Sequence, residues 1–320
     1  MTMTDETSTT SREGMAAAAR AGIASHAEAT APRATAASRP EATAPPAATA
    51  AGAAATEPPA AVTPQATVRP PTPALQRWEI VTVLAVSLGA SGVYALVQYI
   101  GSLTAHEALS KQQVIVHGTL APGRPLLDLF LQLTNIALAL APVLLVFYLL
   151  ARAGEGPSSI GLDASQPGRD LGRGAVLAAV IGGSGLGLYL IAYHLGVELN
   201  VVAENLPDVW WRIPILILSA AQNAILEEVI VVGYLLSRLD RLGVKPAKAI
   251  VISAVIRGSY HLYQGAGAFI GNAVMGAIFG VLYRRWGRVT PMIVAHTLID
   301  AVTFVGYALL AGHVSWLPAP

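Results

Sequence analysis

The chain has 320 residues, of which 54% are hydrophobic and 12% charged, with a formal net charge of +1. Soluble proteins carry about 25% charged residues, so this balance excludes an ordinary soluble globule, and the near-neutral charge gives no reason to expect nucleic acid as a partner. There is no cysteine, which excludes disulfides, thiol nucleophiles and Cys-ligated zinc.

Residues 1–76 are rich in Ala, Thr and Pro, with proline pairs at Pro45-Pro46, Pro58-Pro59 and Pro70-Pro71. Such a stretch blocks long helices and offers little to bury, so it is expected to be a disordered tail. Its longest early apolar run, Met15–Ala19, is too short for a signal peptide, and the first membrane helix is expected to direct insertion. Residues 77–312 then read as a helical membrane domain, all-α and polytopic. Its apolar segments lie near 79–100, 125–151, 172–195, 212–237, 248–264, 268–284 and 289–311. A span needs about 20 residues, and the fifth and sixth segments are the shortest. Trp78, Trp210, Trp211 and Trp286 fall at segment ends, where aromatic residues favour the membrane interface.

Arginine and lysine concentrate in alternate loops: Arg69 and Arg77 before the first segment, Arg152, Arg169 and Arg173 after the second, Arg238, Arg241, Lys245 and Lys248 after the fourth, and Arg284, Arg285 and Arg288 after the sixth. The positive-inside rule turns this into about seven helices with the N-terminus cytoplasmic. Gly267 with Gly271, and Gly276 with Gly280, have the four-residue spacing that lets helices approach closely in lipid. His106, His117 and His313 are expected to be solvated, His194 to lie at an interface, and Arg169-Asp170 to be boundary charges.

The informative residues are ionisable ones inside the apolar segments. Glu227 and Glu228 are adjacent in the fourth, His261 is in the fifth, and His296 and Asp300 are in the seventh. A charge at the centre of a bilayer costs roughly 2.5–3.5 kcal/mol on insertion scales, so these residues need a reason to be there. At ~1.5 Å per residue, Glu227 stands roughly 16 Å of helix from Arg238, His261 roughly 20 Å from Lys248, and Asp300 roughly 18 Å from Arg288. A common depth points to one site. His296 and Asp300, four apart, share a helix face, so Asp300 can orient the imidazole. Asn223, four before Glu227, is expected to hydrogen-bond to it. Adjacent side chains diverge by about 100° on an α-helix, so one glutamate is expected to face the site and the other to make a structural pair.

These residues resemble the CPBP intramembrane proteases, which include the CAAX prenyl proteases of the Rce1 type and the Abi proteins. The pattern EExxxR, FxxxH, HxxxN/D is matched by Glu227-Glu228-Val229-Ile230-Val231-Val232, Arg257-Gly258-Ser259-Tyr260-His261 and His296-Thr297-Leu298-Ile299-Asp300, within about residues 160–312. The chain departs at two positions: Val232 stands where the family has Arg, and Arg257 where it has Phe. Arg257 is therefore expected to supply the missing counter-charge and pair with Glu228.

The resemblance implies an intramembrane endopeptidase acting on membrane-associated peptide or protein substrates. Glu227 with His261 would activate water, and His296 with Asp300 would stabilise the oxyanion. An ionised Asp300 would instead serve to orient His296 or to bind a metal. Glu227, His261 and His296 could alternatively hold Zn2+ with a fourth position left for water; a metal-free Glu/His mechanism is the other option. Membrane lipid is the expected surrounding partner. The Ala- and Gly-rich composition reads as bacterial, hence a cytoplasmic-membrane protein. Two alternatives use the same residues: a catalytically inactive scaffold held by buried ion pairs, or a proton-coupled transporter, which usually shows an internal repeat not seen here. The GxSG motifs at Gly89-Ala90-Ser91-Gly92 and Gly182-Gly183-Ser184-Gly185 are cheap in such a composition, and HExxH is absent.

Overall fold

In the computed structural model the described residues are 71–195, 199–314 and 317. Most of the stretch read as a tail lies outside them, and its last residues are already helical, because α1 (Pro73–Ala85) begins at Pro73. Thr72 caps it, its hydroxyl oxygen accepting from the Leu75 N–H at 3.3 Å, and proline fills the first helical position, where no N–H is needed. After a 50° bend, α2 (Leu88–Thr104) continues the same apolar segment. The Ser87 hydroxyl, donating to the Val83 carbonyl at 2.5 Å, takes up backbone polarity at the bend.

The rest of the chain is α3 (Pro125–Ala139), α4 (Ala141–Arg152), α5 (Pro167–Leu177), α6 (Gly183–His194), α7 (Arg212–Glu227), α8 (Leu235–Arg241), α9 (Pro246–His261), α10 (Ala266–Trp286) and α11 (Thr290–Leu310). α5 and α6 are joined by a π turn, Ala178–Gly182, and α7 and α8 by another, Glu228–Tyr234. Every apolar segment of the sequence is therefore helical, and the protein is a polytopic helical bundle. Five helices are long and apolar enough to cross a membrane: Pro125–Arg152, Pro167–Tyr193, Arg212–Arg241, Ala266–Trp286 and Thr290–Leu310. A sixth is added if the bent α1–α2 pair is one span. The remaining segment is α9. Its 16 residues reach roughly 24 Å, short of a hydrocarbon core of about 30 Å. Gly265, at φ +124°, then turns the chain back into α10.

The core centres on the span Arg212–Arg241, whose most apolar 18-residue window is 67% buried, against none of the corresponding window of Pro167–Tyr193. Val229–Val232 and Tyr234–Leu236 pack against Ile80 and Val83 of α1, Val143, Val146 and Leu150 of α4, Phe279 of α10 and Met292 and Ala295 of α11. A two-stranded parallel ribbon, β1 (Gln113–His117) with β2 (Asn200–Glu204), sits in two loops between the apolar segments. Its Val202 and Ala203 join Trp211, Phe304 and Tyr307 in a second core cluster. Trp211 is thus buried rather than interfacial, unlike the exposed Trp78 and Trp210. His117 is not simply solvated either: it stacks on Phe304 at 6.0 Å and lies 3.5 Å from the Ser219 hydroxyl. His106 and His313 are exposed as expected; the side chain of His194 lies outside the described residues.

Glycine sets a close helix contact, that of α9 with α10. A Cβ at Gly276 would lie 3.2 Å from the Ala254 Cα, and one at Gly280 3.3 Å from Ile250. The expected packing role thus falls to this pair, whereas Gly271 has nothing within 4 Å. Gly258 faces the tightest point of this contact, where a Cβ would lie 2.7 Å from the Phe269 carbonyl oxygen. Gly258→Val is expected to force the two helices apart and cost about 1–3 kcal/mol, read as a lowered midpoint of thermal unfolding in detergent. Gly271→Ala should leave it unchanged.

At the arginine-bearing end, Asp170 is buried rather than a simple boundary charge: with Asp163 it clamps Arg288 at 2.6–3.1 Å. Asp170 first, then Asp163, push the Arg288 guanidinium up. The Ser165 hydroxyl and backbone N–H, then Arg288, hold the Asp163 carboxyl at about 2, below the ordinary ~3.9. A depressed carboxylate stabilises the fold above its unfolded pKa and loses that contribution as pH falls through the folded value. Thermal stability is therefore expected to drop between about pH 4 and pH 2. Asp163→Asn should lower stability at neutral pH and flatten that part of the slope; an unaltered acid slope in the variant would exclude Asp163 as its source.

Candidate active site

The two glutamates sit where α7 gives way to the π turn. A π turn shifts the hydrogen-bond ladder and leaves carbonyls to be satisfied from elsewhere. The Ser253 hydroxyl donates to the Val231 carbonyl at 2.8 Å, and the Tyr283 hydroxyl approaches the Gly233 carbonyl at 3.4 Å. The wider turn also brings successive side chains closer in angle. Glu227 and Glu228 both lie in the interior between α7, α9 and α11 but differ in company: Glu227 faces Tyr260 and His261, and Glu228 pairs with Arg257 and His296. Glu228 is fully buried and Glu227 nearly so.

Arg257 enters from α9, fully buried, and its guanidinium pairs with Glu228 while lying 3.5 Å from Glu227. This is the contact expected from the two sequence departures. Gly276 opposite leaves room for the arginine stem, since a Cβ there would approach its Cδ to 3.1 Å. The guanidinium also lies 5.4 Å over the Phe279 ring, a cation–π contact. His296 comes from α11. Its Nδ1 is 2.8 Å from Glu228 Oε1, and its Nε2 is 3.5 Å from Asp300 Oδ2. Asp300 therefore meets the ring of His296 one turn along the same helix. His261, at the end of α9, places Nε2 3.8 Å from Glu227 Oε2; among the described residues neither of its ring nitrogens has a hydrogen-bond partner.

One expected contact is missing. Among the described residues Asn223 makes no hydrogen bond to Glu227, because the Glu227 carboxylate turns toward α9, where its Oε2 accepts from the Tyr260 hydroxyl at 2.7 Å. Tyr260 is the site residue that sequence reasoning overlooked. It is buried beside His261, and its place in Arg257-Gly258-Ser259-Tyr260-His261, three after Arg257 and so on the same helix face, was the available signal.

Glu227, Glu228 and His296 each offer a ligand atom, all within 4.8 Å of one another. That triplet has the spacing of a metal site, but it differs from the expected set: Glu228 replaces His261. It also does not suit a divalent ion. The Arg257 guanidinium already touches both carboxylates, and a dication among the same atoms would lie within a few ångströms of a fixed like charge in low dielectric. The serine motifs supply no nucleophile to this cluster. Ser184 donates back to the Val180 carbonyl at 2.8 Å on an exposed helix, and Ser91 is exposed.

Buried acids, imidazoles and a tyrosine thus meet at the junction of three helices, and all of them fall between positions 227 and 300. Neither any curated protein nor any solved structure matches the chain. A family model does, described as type II CAAX prenyl endopeptidase Rce1-like and covering residues 209–302. That stretch runs from just before α7 to just past Asp300 on α11 and takes in every residue of the cluster, so this part of the chain is similar to the Rce1-like CAAX prenyl endopeptidases.

Proposed function

We propose that the protein is an intramembrane endopeptidase that hydrolyses peptide bonds of membrane-associated peptides or proteins with water activated by Glu227. The observation that carries this reading is the setting of Glu227: a buried carboxylate fixed by Tyr260 and spaced 3.8 Å from His261 Nε2. That spacing is too long for a direct hydrogen bond and suits one bridging water. Glu227 takes a proton from the water as its oxygen attacks the scissile carbonyl, and later passes that proton to the leaving amine. His261 orients the water. The buried Arg257 places a fixed positive charge beside the centre as negative charge develops on the carbonyl oxygen. Glu228, His296 and Asp300 hold one another in line from α7 and α11.

No step is routed through zinc, since the donor atoms share their space with Arg257. Activity is accordingly expected to survive prolonged dialysis against a chelator. Loss on chelation with recovery on zinc addition would overturn that part of the reading.

The experiment for the function itself is an N-terminal peptide census of membranes from cells expressing wild type or Glu227→Ala at equal levels. New N-termini found only with wild type identify a peptidase and its substrate. Identical censuses under conditions where the gene is naturally expressed would favour a scaffold or transporter.

A further inference from the structure

Five arginines at one end of the bundle are paired with carboxylates. Arg152 meets Glu79, Arg238 and Arg241 meet Glu155, Arg284 meets Asp240, and Arg288 meets Asp163 and Asp170. Among the described residues, Arg77, Arg169, Arg173 and Arg285 at this end have no carboxylate partner, and the last three belong to two helices that border one gap, α5 and α10. Arg169 and Arg173 are four apart on α5, so they share a face. Arg285 follows Leu282 by three on α10 and directly precedes Trp286, both of which line that gap.

That gap is an apolar groove of about 400 Å³ between α5 and α10, lined by Gly172, Arg173, Val176, Leu177, Leu282 and Trp286. Arg173 lies across its end, stacked 4.5 Å over the Trp286 ring. The groove opens outward: none of the apolar window of the span containing α5 is buried, and Gly172 and Val176 are exposed. Gly172 keeps it wide, with nothing within 4 Å of where a Cβ would stand.

We propose that this groove binds one anionic phospholipid, with an acyl chain along Val176, Leu177 and Leu282 and the phosphate among Arg169, Arg173 and Arg285. An unpaired guanidinium cluster at the membrane interface attracts anionic lipid, and planar guanidinium groups bind phosphate oxygens in pairs. The arginine stems and the indole provide the amphipathic boundary between chain and headgroup. A lipid with an uncharged headgroup would fit the groove but leave the three cations uncompensated. The site is separate from the buried Glu/His cluster and does not depend on the protease reading.

The test uses the delipidated full chain in detergent and counts retained lipid by native mass spectrometry. Three probes are compared: phosphatidylglycerol, phosphatidylcholine with the same chains, and glycerol 3-phosphate. One phosphatidylglycerol is expected to stay bound after phosphatidylcholine has been lost, with no competition from glycerol 3-phosphate. The triple variant R169Q/R173Q/R285Q should weaken phosphatidylglycerol binding on the order of 100-fold, near fivefold per arginine. Arg77→Gln, an equally unpaired arginine outside the groove, should change nothing. Gly172→Phe fills the groove while keeping every charge, so it should weaken binding even if the triple variant folds poorly. Equal retention of phosphatidylcholine would mean ordinary surrounding lipid only, and competition by glycerol 3-phosphate a headgroup-only anion site. Either result, or undiminished binding by Gly172→Phe, overturns the proposal.

Discussion

Glu227→Gln is expected to lower peptide-bond cleavage by roughly 10²–10⁴-fold, the usual contribution of a positioned general base, without lowering the thermal unfolding midpoint. The amide keeps the size of the carboxylate and still accepts a hydrogen bond from Tyr260, so the packing at the head of the π turn survives. Removing a charge from a buried position next to a second carboxylate also relieves like-charge repulsion, so stability is expected to hold or rise. Tyr260→Phe removes only the hydrogen bond that fixes Glu227; a smaller loss, near 10-fold for roughly 1.4 kcal/mol, is expected. Turnover is measured on a substrate identified by the N-terminal census, with unfolding followed in the same detergent. Full activity in Glu227→Gln would remove Glu227 from the chemistry. A parallel fall in activity and stability would assign it a structural role instead.

The legible and illegible parts of this protein separate along physical lines. Glu227, His261, His296 and Asp300 were found because each sits in an apolar helix at a countable distance from a basic loop, and helical rise is nearly constant. The pairing of Arg257 with Glu228 was readable because a buried carboxylate that lacks one cation requires another. The convergence of the two glutamates was not readable. It depends on the π turn Glu228–Tyr234, whose lost backbone bonds are met by Ser253 and Tyr283 from distant helices; no local spacing announces such a turn. The 50° bend between α1 and α2 and the β1–β2 ribbon were hidden for a related reason. Both depend on long-range packing, the ribbon on Phe304 and Tyr307, and a five-residue strand inside a polar loop carries too short a pattern to register. Asp170 was misread as a boundary charge because its partner, Arg288, lies far along the chain.

Arg257→Leu is expected to be the most destabilising single change at the site, by about 3–5 kcal/mol. Glu228 is fully buried, and losing the guanidinium leaves its charge, among the described residues, with only His296 as a partner. Arg257→Lys should recover part of the loss, because an ammonium keeps the charge but not the planar fork that reaches both carboxylates. Two double variants separate charge from shape. Glu228→Gln/Arg257→Leu removes both charges and should be less destabilised than Arg257→Leu alone, with a coupling of about 1–3 kcal/mol. Val232→Arg/Arg257→Phe moves the cation to the buried position four residues after Glu228, on the same side of the helix, and should restore much of the stability lost in Arg257→Phe. Unfolding midpoints in detergent and the fraction of protein inserted in membranes provide the readout. If the relocated arginine recovers nothing and the two single changes are additive, Arg257 is held in place by packing against Gly276 and Phe279, and its charge is incidental to the glutamates.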